Sequence, residues 1–154
     1  MLAVPFFGRK EHPMTILECI TRVDSVKPNA YTVDEKVRWL SYLDGSIKAQ
    51  IIDTHEPNLE EIIPVEEGES EGTENEETVR TLPYSCDRLT DELLVPFPYD
   101  ELYTAYLKAK IDEENGETVR YNNTASTFNQ LLSEYARAYH REHMPKKNAV
   151  LKYV

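Results

Sequence analysis

Tyr121, Ala125, Phe128, Leu132, Tyr135 and Tyr139 follow one another in alternating steps of four and three. That rhythm belongs to a helix whose apolar seam lies against a neighbouring helix, and Leu131 and Ala138 widen the seam. Pro145 ends the pattern, and Lys146 and Lys147 fall near the helix C-terminus, where positive charge is favoured. A chain that contains this stretch must supply a second helix to cover it.

The segment before it supplies one. Leu93-Leu94-Val95-Pro96-Phe97-Pro98-Tyr99 is the longest internal apolar run, broken by two prolines just before a helical pattern begins. Tyr99, Leu102, Tyr106 and Ala109 then recur at helical spacing, with Tyr103, Leu107 and Ile111 alongside. Pro98 suits a first helical turn, where its missing N–H does no harm, and Asn115-Gly116 suits a left-handed cap. Pro96 and Pro98 are expected to hold Phe97 extended and to place it in the helical core or against a neighbouring subunit.

Two helices precede these. Thr15-Ile16-Leu17-Glu18 and Thr32-Val33-Asp34-Glu35 both fit a capping box, in which a Thr hydroxyl and a Glu carboxylate each satisfy an orphan backbone donor. Ile16, Ile20 and Val23 mark the apolar face of the first helix, which ends before Pro28. Val33, Val37, Leu40, Ile47 and Ile51 mark the second, with Trp39 and Leu43 widening it. Gly45 costs about 1 kcal/mol relative to Ala there, so a kink or early stop is expected. The expected fold is mainly α: a small helical bundle of four to five helices over residues 14–145. Residues 1–13 form an N-terminal arm and residues 146–154 a C-terminal tail.

An acidic insertion interrupts this domain at about residues 56–82. Glu66, Glu67, Glu69, Glu71, Glu74, Glu76 and Glu77 crowd together with Gly68 and Gly72 and without Lys or Arg. Glutamates so dense repel one another and cannot bury surface, which predicts a solvated loop. Its flanks, Ile62-Ile63-Pro64-Val65 and Thr78-Val79-Arg80-Thr81-Leu82, have strand character and could pair as a β-hairpin with the acidic run at its tip.

Charge and cysteine usage narrow the function classes. A net charge of -11 over 154 residues argues against wrapping nucleic acid, which needs clustered cations. Cys19 and Cys86 are too few for a disulfide framework or a zinc site and are expected as buried free thiols in a reducing cytoplasm. No run reaches the ~20 apolar residues of a membrane span. His140 and His143, three residues apart, could share a metal, yet a third ligand is not evident and His12 and His55 lie far off in sequence. They read as surface histidines. Asp112, Glu113 and Glu114 read as the solvated polar end of a helix rather than acid/base carboxylates. No metal, cofactor or catalytic residue is expected. Ten tyrosines are more than a small core can hide, and Tyr is enriched at interfaces. Phe97, Tyr99, Tyr103, Tyr135 and Tyr139 are therefore the candidate partner-contact residues.

The run from Leu93 to Tyr103, followed by Asn115-Gly116-Glu117 and Arg120-Tyr121-Asn122-Asn123, resembles small structural proteins of tailed phages and prophages of Gram-positive bacteria. The resemblance extends to Val26-Lys27-Pro28-Asn29-Ala30-Tyr31, Lys36-Val37-Arg38-Trp39-Leu40 and His143-Met144-Pro145. It leaves out the arm, the Glu-rich insertion and the tail. It implies a head–tail connector (adaptor) of the virion neck, not an enzyme, made in the host cytoplasm and forming rings that are commonly dodecameric. The implied partners are copies of itself, the portal protein and tail-side neck proteins, with DNA passing nearby without specific binding and no membrane. The other class open to this composition is an acidic protein-binding module or regulatory adaptor that occupies a basic partner. A small metal-dependent enzyme built on His140 and His143 is the weakest alternative.

Overall fold

The computed structural model describes residues 13–56 and 82–146. The N-terminal arm as far as residue 12, the acidic run with its strand-like flanks, and the tail from residue 147 lie outside the described residues. Within them the protein is a mainly helical bundle of α1 (Ile16–Val26), α2 (Val33–Ile47), α3 (Glu101–Glu114) and α4 (Thr118–Glu142). No strand occurs among the described residues, only isolated bridges.

Both capping boxes form as the sequence predicts. Thr15 Oγ1 accepts from the Glu18 N–H at 3.2 Å, and Glu18 returns the bond to the Thr15 N–H. Thr32 and Glu35 do the same for α2. The first turn of α1 also borrows acceptors from a distant segment. The Ile16 and Leu17 N–H groups donate to the carbonyls of Asp91 (3.1 Å) and Leu89 (2.8 Å), so residues 89–93 seal the helix end. Met14 is fully buried, and its carbonyl accepts from the Leu93 N–H at 2.8 Å.

α2 does not stop at Gly45. It runs on to Ile47 and passes into a π-helical turn at Lys48–Ile52. Side chains on both sides of the glycine, Asp44 and Ile47, are held in the core, so packing overrides the local cost.

α3 and α4 form an antiparallel hairpin. Gly116 takes φ +72 between them, the left-handed position that favours glycine. Ring pairs record the register: Tyr106 faces Phe128 at 5.2 Å and Tyr99 faces Tyr135 at 5.9 Å. α3 is the central helix, buried on several sides through Leu102, Tyr103, Ala105, Leu107, Ala109 and Ile111. The α4 seam buries its C-terminal half: Tyr135 and Ala138 are buried, whereas Val119 near the start is exposed.

Polar clasps set the helix angles at one corner. Lys36 Nζ, almost fully buried, donates to Asp24 Oδ1 at 2.6 Å and joins α2 to α1. Lys27 donates to Asp112, and the Thr124 hydroxyl donates to the same carboxylate at 3.1 Å. Asp112 is fully buried, which corrects its reading as a solvated residue. It follows Ala105 and Ala109 on the inner face of α3, where the cation at the end of α1 reaches it.

Candidate functional site

The connecting segment 93–103 is fastened at its base and free at its tip. Leu93 and Val95 are fully buried, and between them the Leu94 N–H donates to Asp44 Oδ2 at 3.2 Å. The Val95 N–H donates to the Tyr103 hydroxyl at 2.7 Å, and that hydroxyl donates onward to Asp44 Oδ1 at 2.5 Å. The Tyr84 hydroxyl donates to Asp44 as well. Asp44 is therefore a fully buried carboxylate ringed by donors, the arrangement a buried charge needs. Burial, followed by the Asp44 charge, pushes the Tyr103 hydroxyl well above its ordinary range and keeps its proton in place.

At the tip, the Phe97–Pro98 peptide is cis, and the Tyr99 N–H closes onto the Pro96 carbonyl at 3.0 Å. That closing bond places Phe97 at the tip of a tight turn. The ring is 55% exposed, so it does not pack in this chain's core. Pro98 precedes the helix instead of opening it, since α3 begins at Glu101 with Asp100 as its cap. Burial raises the Asp100 carboxyl, with its own backbone bonds and Arg22 pulling the other way.

The tyrosine candidates separate into two groups. Tyr103 and Tyr135 are buried inside the chain's own core, where their rings have no free face for a partner. Burial pushes the Tyr135 hydroxyl to about 12. Tyr99 and Tyr139 are partly buried, and Phe97 is the most exposed of the five. The acidic-run residues Glu66, Glu67, Glu69, Glu71, Glu74, Glu76 and Glu77 lie outside the described residues.

A second constellation gathers where α4 ends. His55, 4% exposed, follows the π-helical turn, and its Nε2 lies 2.7 Å from His140 Nδ1. His55 Nδ1 sits 2.6 Å from the Ile51 carbonyl oxygen. A carbonyl only accepts, so Nδ1 carries the proton and Nε2 of the neutral ring is the acceptor. With His55 uncharged, that Nε2 accepts and His140 donates from Nδ1. His143 stacks on Tyr139 with centroids 3.8 Å apart, and Tyr139 meets His55 edge-on. His55 is thus not remote from the other two, as its place in the chain suggests. No group of three or more His, Cys, Asp or Glu among the described residues is arranged to hold a metal ion. The rings instead clasp two backbone segments. The Glu56 N–H donates to the Met144 carbonyl at 2.8 Å and the Lys146 N–H to the Thr54 carbonyl at 2.9 Å.

The two thiols differ. Cys19 is buried and burial pushes it to about 12, whereas Cys86 is exposed, against the expectation that both are buried. Cys86 lies in the turn-rich segment 82–92, outside the helices, beside a groove of about 540 Å³ between that segment and α2.

Sequence reasoning missed Asp44 and His55. Asp44 carried a readable signal, being a carboxylate on the apolar stripe between Leu40 and Ile47. His55 carried a weaker one, one turn beyond Ile51 on the same stripe.

Compared with family models, curated proteins and solved structures, the chain matches none of them. Among the described residues no helix is long and apolar enough to cross a membrane.

Proposed function

We propose that this chain is a non-enzymatic virion assembly protein, a head–tail connector or adaptor subunit that forms a ring between portal and tail. The observation that carries the reading is a fastened helical body whose chain positions 54–56 and 144–146 are bonded to each other. Glu56, which leads into residues 57–81, and Lys146, which leads into the tail, are hydrogen-bonded side by side across the histidine clasp. A ring subunit needs such a body, with a surface that meets a neighbour and segments that reach beyond it. The resemblance carried by residues 93–103, 115–117 and 120–123 supports the same reading.

In this role the partners are copies of the chain, the portal protein and tail-side neck proteins. DNA passes the ring without specific binding, since acidic residues repel its backbone and let it slide. The net charge of -11 favours a second reading, an acidic module that occupies a basic partner. Co-expression with a portal protein from a tailed phage of a Gram-positive host separates them. A ring on the portal, seen by electron microscopy or mass measurement, supports the connector. A persistent monomer that ignores the portal but binds basic proteins in a salt-sensitive way supports the module and overturns the connector.

A further inference from the structure

The histidine pair at the end of α4 has room for a limited number of protons. His55 Nδ1 faces two oxygens, the Ile51 carbonyl at 2.6 Å and the Thr54 hydroxyl at 3.0 Å. The Thr54 hydroxyl donates its own proton to the same carbonyl at 2.6 Å, so its oxygen only accepts from the ring. Both neighbours therefore require a proton on His55 Nδ1 and leave Nε2 for the bridge to His140 Nδ1, 2.7 Å away. With both rings neutral, one N–H fills that bridge. A first extra proton has room at Nε2 of His140, an exposed residue, and the bridge survives as a charge-assisted bond. A second sets two N–H groups head to head across the same gap, on a His55 only 4% exposed. The pair then has two like charges and no acceptor.

Among the described residues no carboxylate is bonded to His55, His140 or His143, so none is in place to absorb that charge. From the turn that carries His55, Asp53 pairs with Lys48, and Glu56 is exposed. α2, packed on the same turn, brings Asp44, already ringed by the Tyr84 and Tyr103 hydroxyls and the Leu94 N–H. α4 brings Arg137, Arg141 and Glu142, all exposed, and the segment beyond it Lys146. His143 adds a third ring, with its centroid 6.4 Å from that of His55. Its Nδ1 donates to the Tyr139 carbonyl at 3.1 Å, a bond that a further proton leaves in place.

The bridge stands over a junction of two segments. The Glu56 N–H to Met144 and Lys146 N–H to Thr54 bonds join them, with His55 facing Pro145 between. Two bonds on exposed backbone hold little by themselves. We propose that the His55–His140 pair is a proton-operated clasp that keeps residues 144–146 against residues 54–56 and releases them when both rings are charged. The open form takes up a proton for which the closed form has no place. Closure therefore weakens as pH falls, by at most about tenfold per pH unit for one proton. Histidine clusters switch interfaces in this way at about pH 5–6. The inference concerns the chain by itself and does not depend on the assembly reading.

Amide exchange of the full-length chain, followed by NMR and corrected for intrinsic rates, reads the clasp directly. Between about pH 7 and about pH 5 the Glu56 and Lys146 N–H groups should lose protection on the order of tenfold or more. The Leu93 and Val95 N–H groups, bonded in the core, should keep theirs. H140Q is expected to remove the step, because its amide donates to neutral His55 and, turned over, accepts from the charged ring. H143Q is expected to keep the step. Unchanged protection of Glu56 and Lys146 across the range overturns the proposal, as does a step that survives in H140Q or is lost in H143Q. A fall that takes Leu93 and Val95 with it is general acid unfolding and overturns it as well.

Discussion

Replacing Asp44 by alanine tests the central claim about how residues 93–103 are held. The carboxylate is fully buried and accepts from the Tyr84 hydroxyl, the Tyr103 hydroxyl and the Leu94 N–H. In Asp44→Ala these donors lose their acceptor inside the core. A hydrogen bond to a charged group contributes about 1.5–3 kcal/mol, and each buried donor left unsatisfied costs about 1–3 kcal/mol. The desolvation of the carboxylate itself opposes these terms, and the donors left behind are neutral, so the sum falls to about 3–5 kcal/mol. That is a large share of the roughly 5–15 kcal/mol that holds a domain together. Urea unfolding followed by circular dichroism should show it as a lower midpoint at unchanged slope. Asp44→Asn should recover only part of the loss, since its single oxygen can face either Tyr103 or the Tyr84 and Leu94 side, while its amide adds a donor where acceptors are needed. Tyr103→Phe strands the Val95 N–H and should couple to Asp44→Ala by more than about 0.5 kcal/mol in a double-mutant cycle. An Asp44→Ala loss below about 1 kcal/mol, or strictly additive effects, would refute the reasoning.

The other expectations concern the clasps and the buried titrating groups. Lys27→Met leaves Asp112 buried beside Thr124 without its cation; the loss should be about 2–4 kcal/mol, discounted because a fifth of the lysine side chain is exposed. Lys27→Met/Asp112→Leu should be less damaged than Lys27→Met alone in the same denaturation assay, and the reverse order would sink the pairing. Stability should fall above about pH 9: burial raises Cys19 to about 12 and Tyr103 well above its ordinary range, so the unfolded chain releases these protons first. The stability they contribute is complete below the unfolded values of 9.0 and 10.0 and is lost as pH climbs past them. The slope is roughly 1.4 kcal/mol per pH unit per group, and Cys19→Ala should flatten it. In long-range nitrogen NMR, neutral His55 should show the Nδ1–H tautomer; an Nε2–H signal would contradict its bond to the Ile51 carbonyl.

Features that depend on neighbours in the chain could be read from the sequence. Thr15 with Glu18, Thr32 with Glu35, and Gly116 at the helix end are local rules satisfied locally, and the structure keeps all three. The α3–α4 hairpin could also be read, because a regular seam demands a partner and Asn115-Gly116 fixes a short return. What stayed hidden depends on segments far apart in sequence. Asp112 looks like a helix-end acid until Lys27 is brought against it from 85 positions away. His55 looks isolated until α4 returns and sets His140 against it. Nothing local announces that the Tyr99 N–H will close back onto the Pro96 carbonyl and leave Phe97 at the tip of a turn. Periodicity also assigns tyrosines to a face without saying how deep that face lies. Tyr103 and Tyr135 therefore read as contact residues although the core takes them.

One helix connects the buried chemistry to the surface. The inner side of α2 presents Asp44, which holds Leu94 and, through Tyr103, Val95, and so fixes where the Pro96–Tyr99 turn stands. The outer side of the same helix presents Arg38 and Tyr42 to the groove. The Pro96–Tyr99 turn and the surface around Tyr42 are thus both referenced to α2, and their relative direction is set by the packed core. A heterologous contact closes into a ring only if the rotation between successive copies is constant; a pliable mount would give open chains of mixed curvature. Under the connector role proposed above, that requirement gives the buried carboxylate a part beyond stability. A charge inside a small core is costly, and hydrophobic replacements of such networks often stabilise a fold. Here the network fastens the base of the connecting segment that carries exposed Phe97 at its tip.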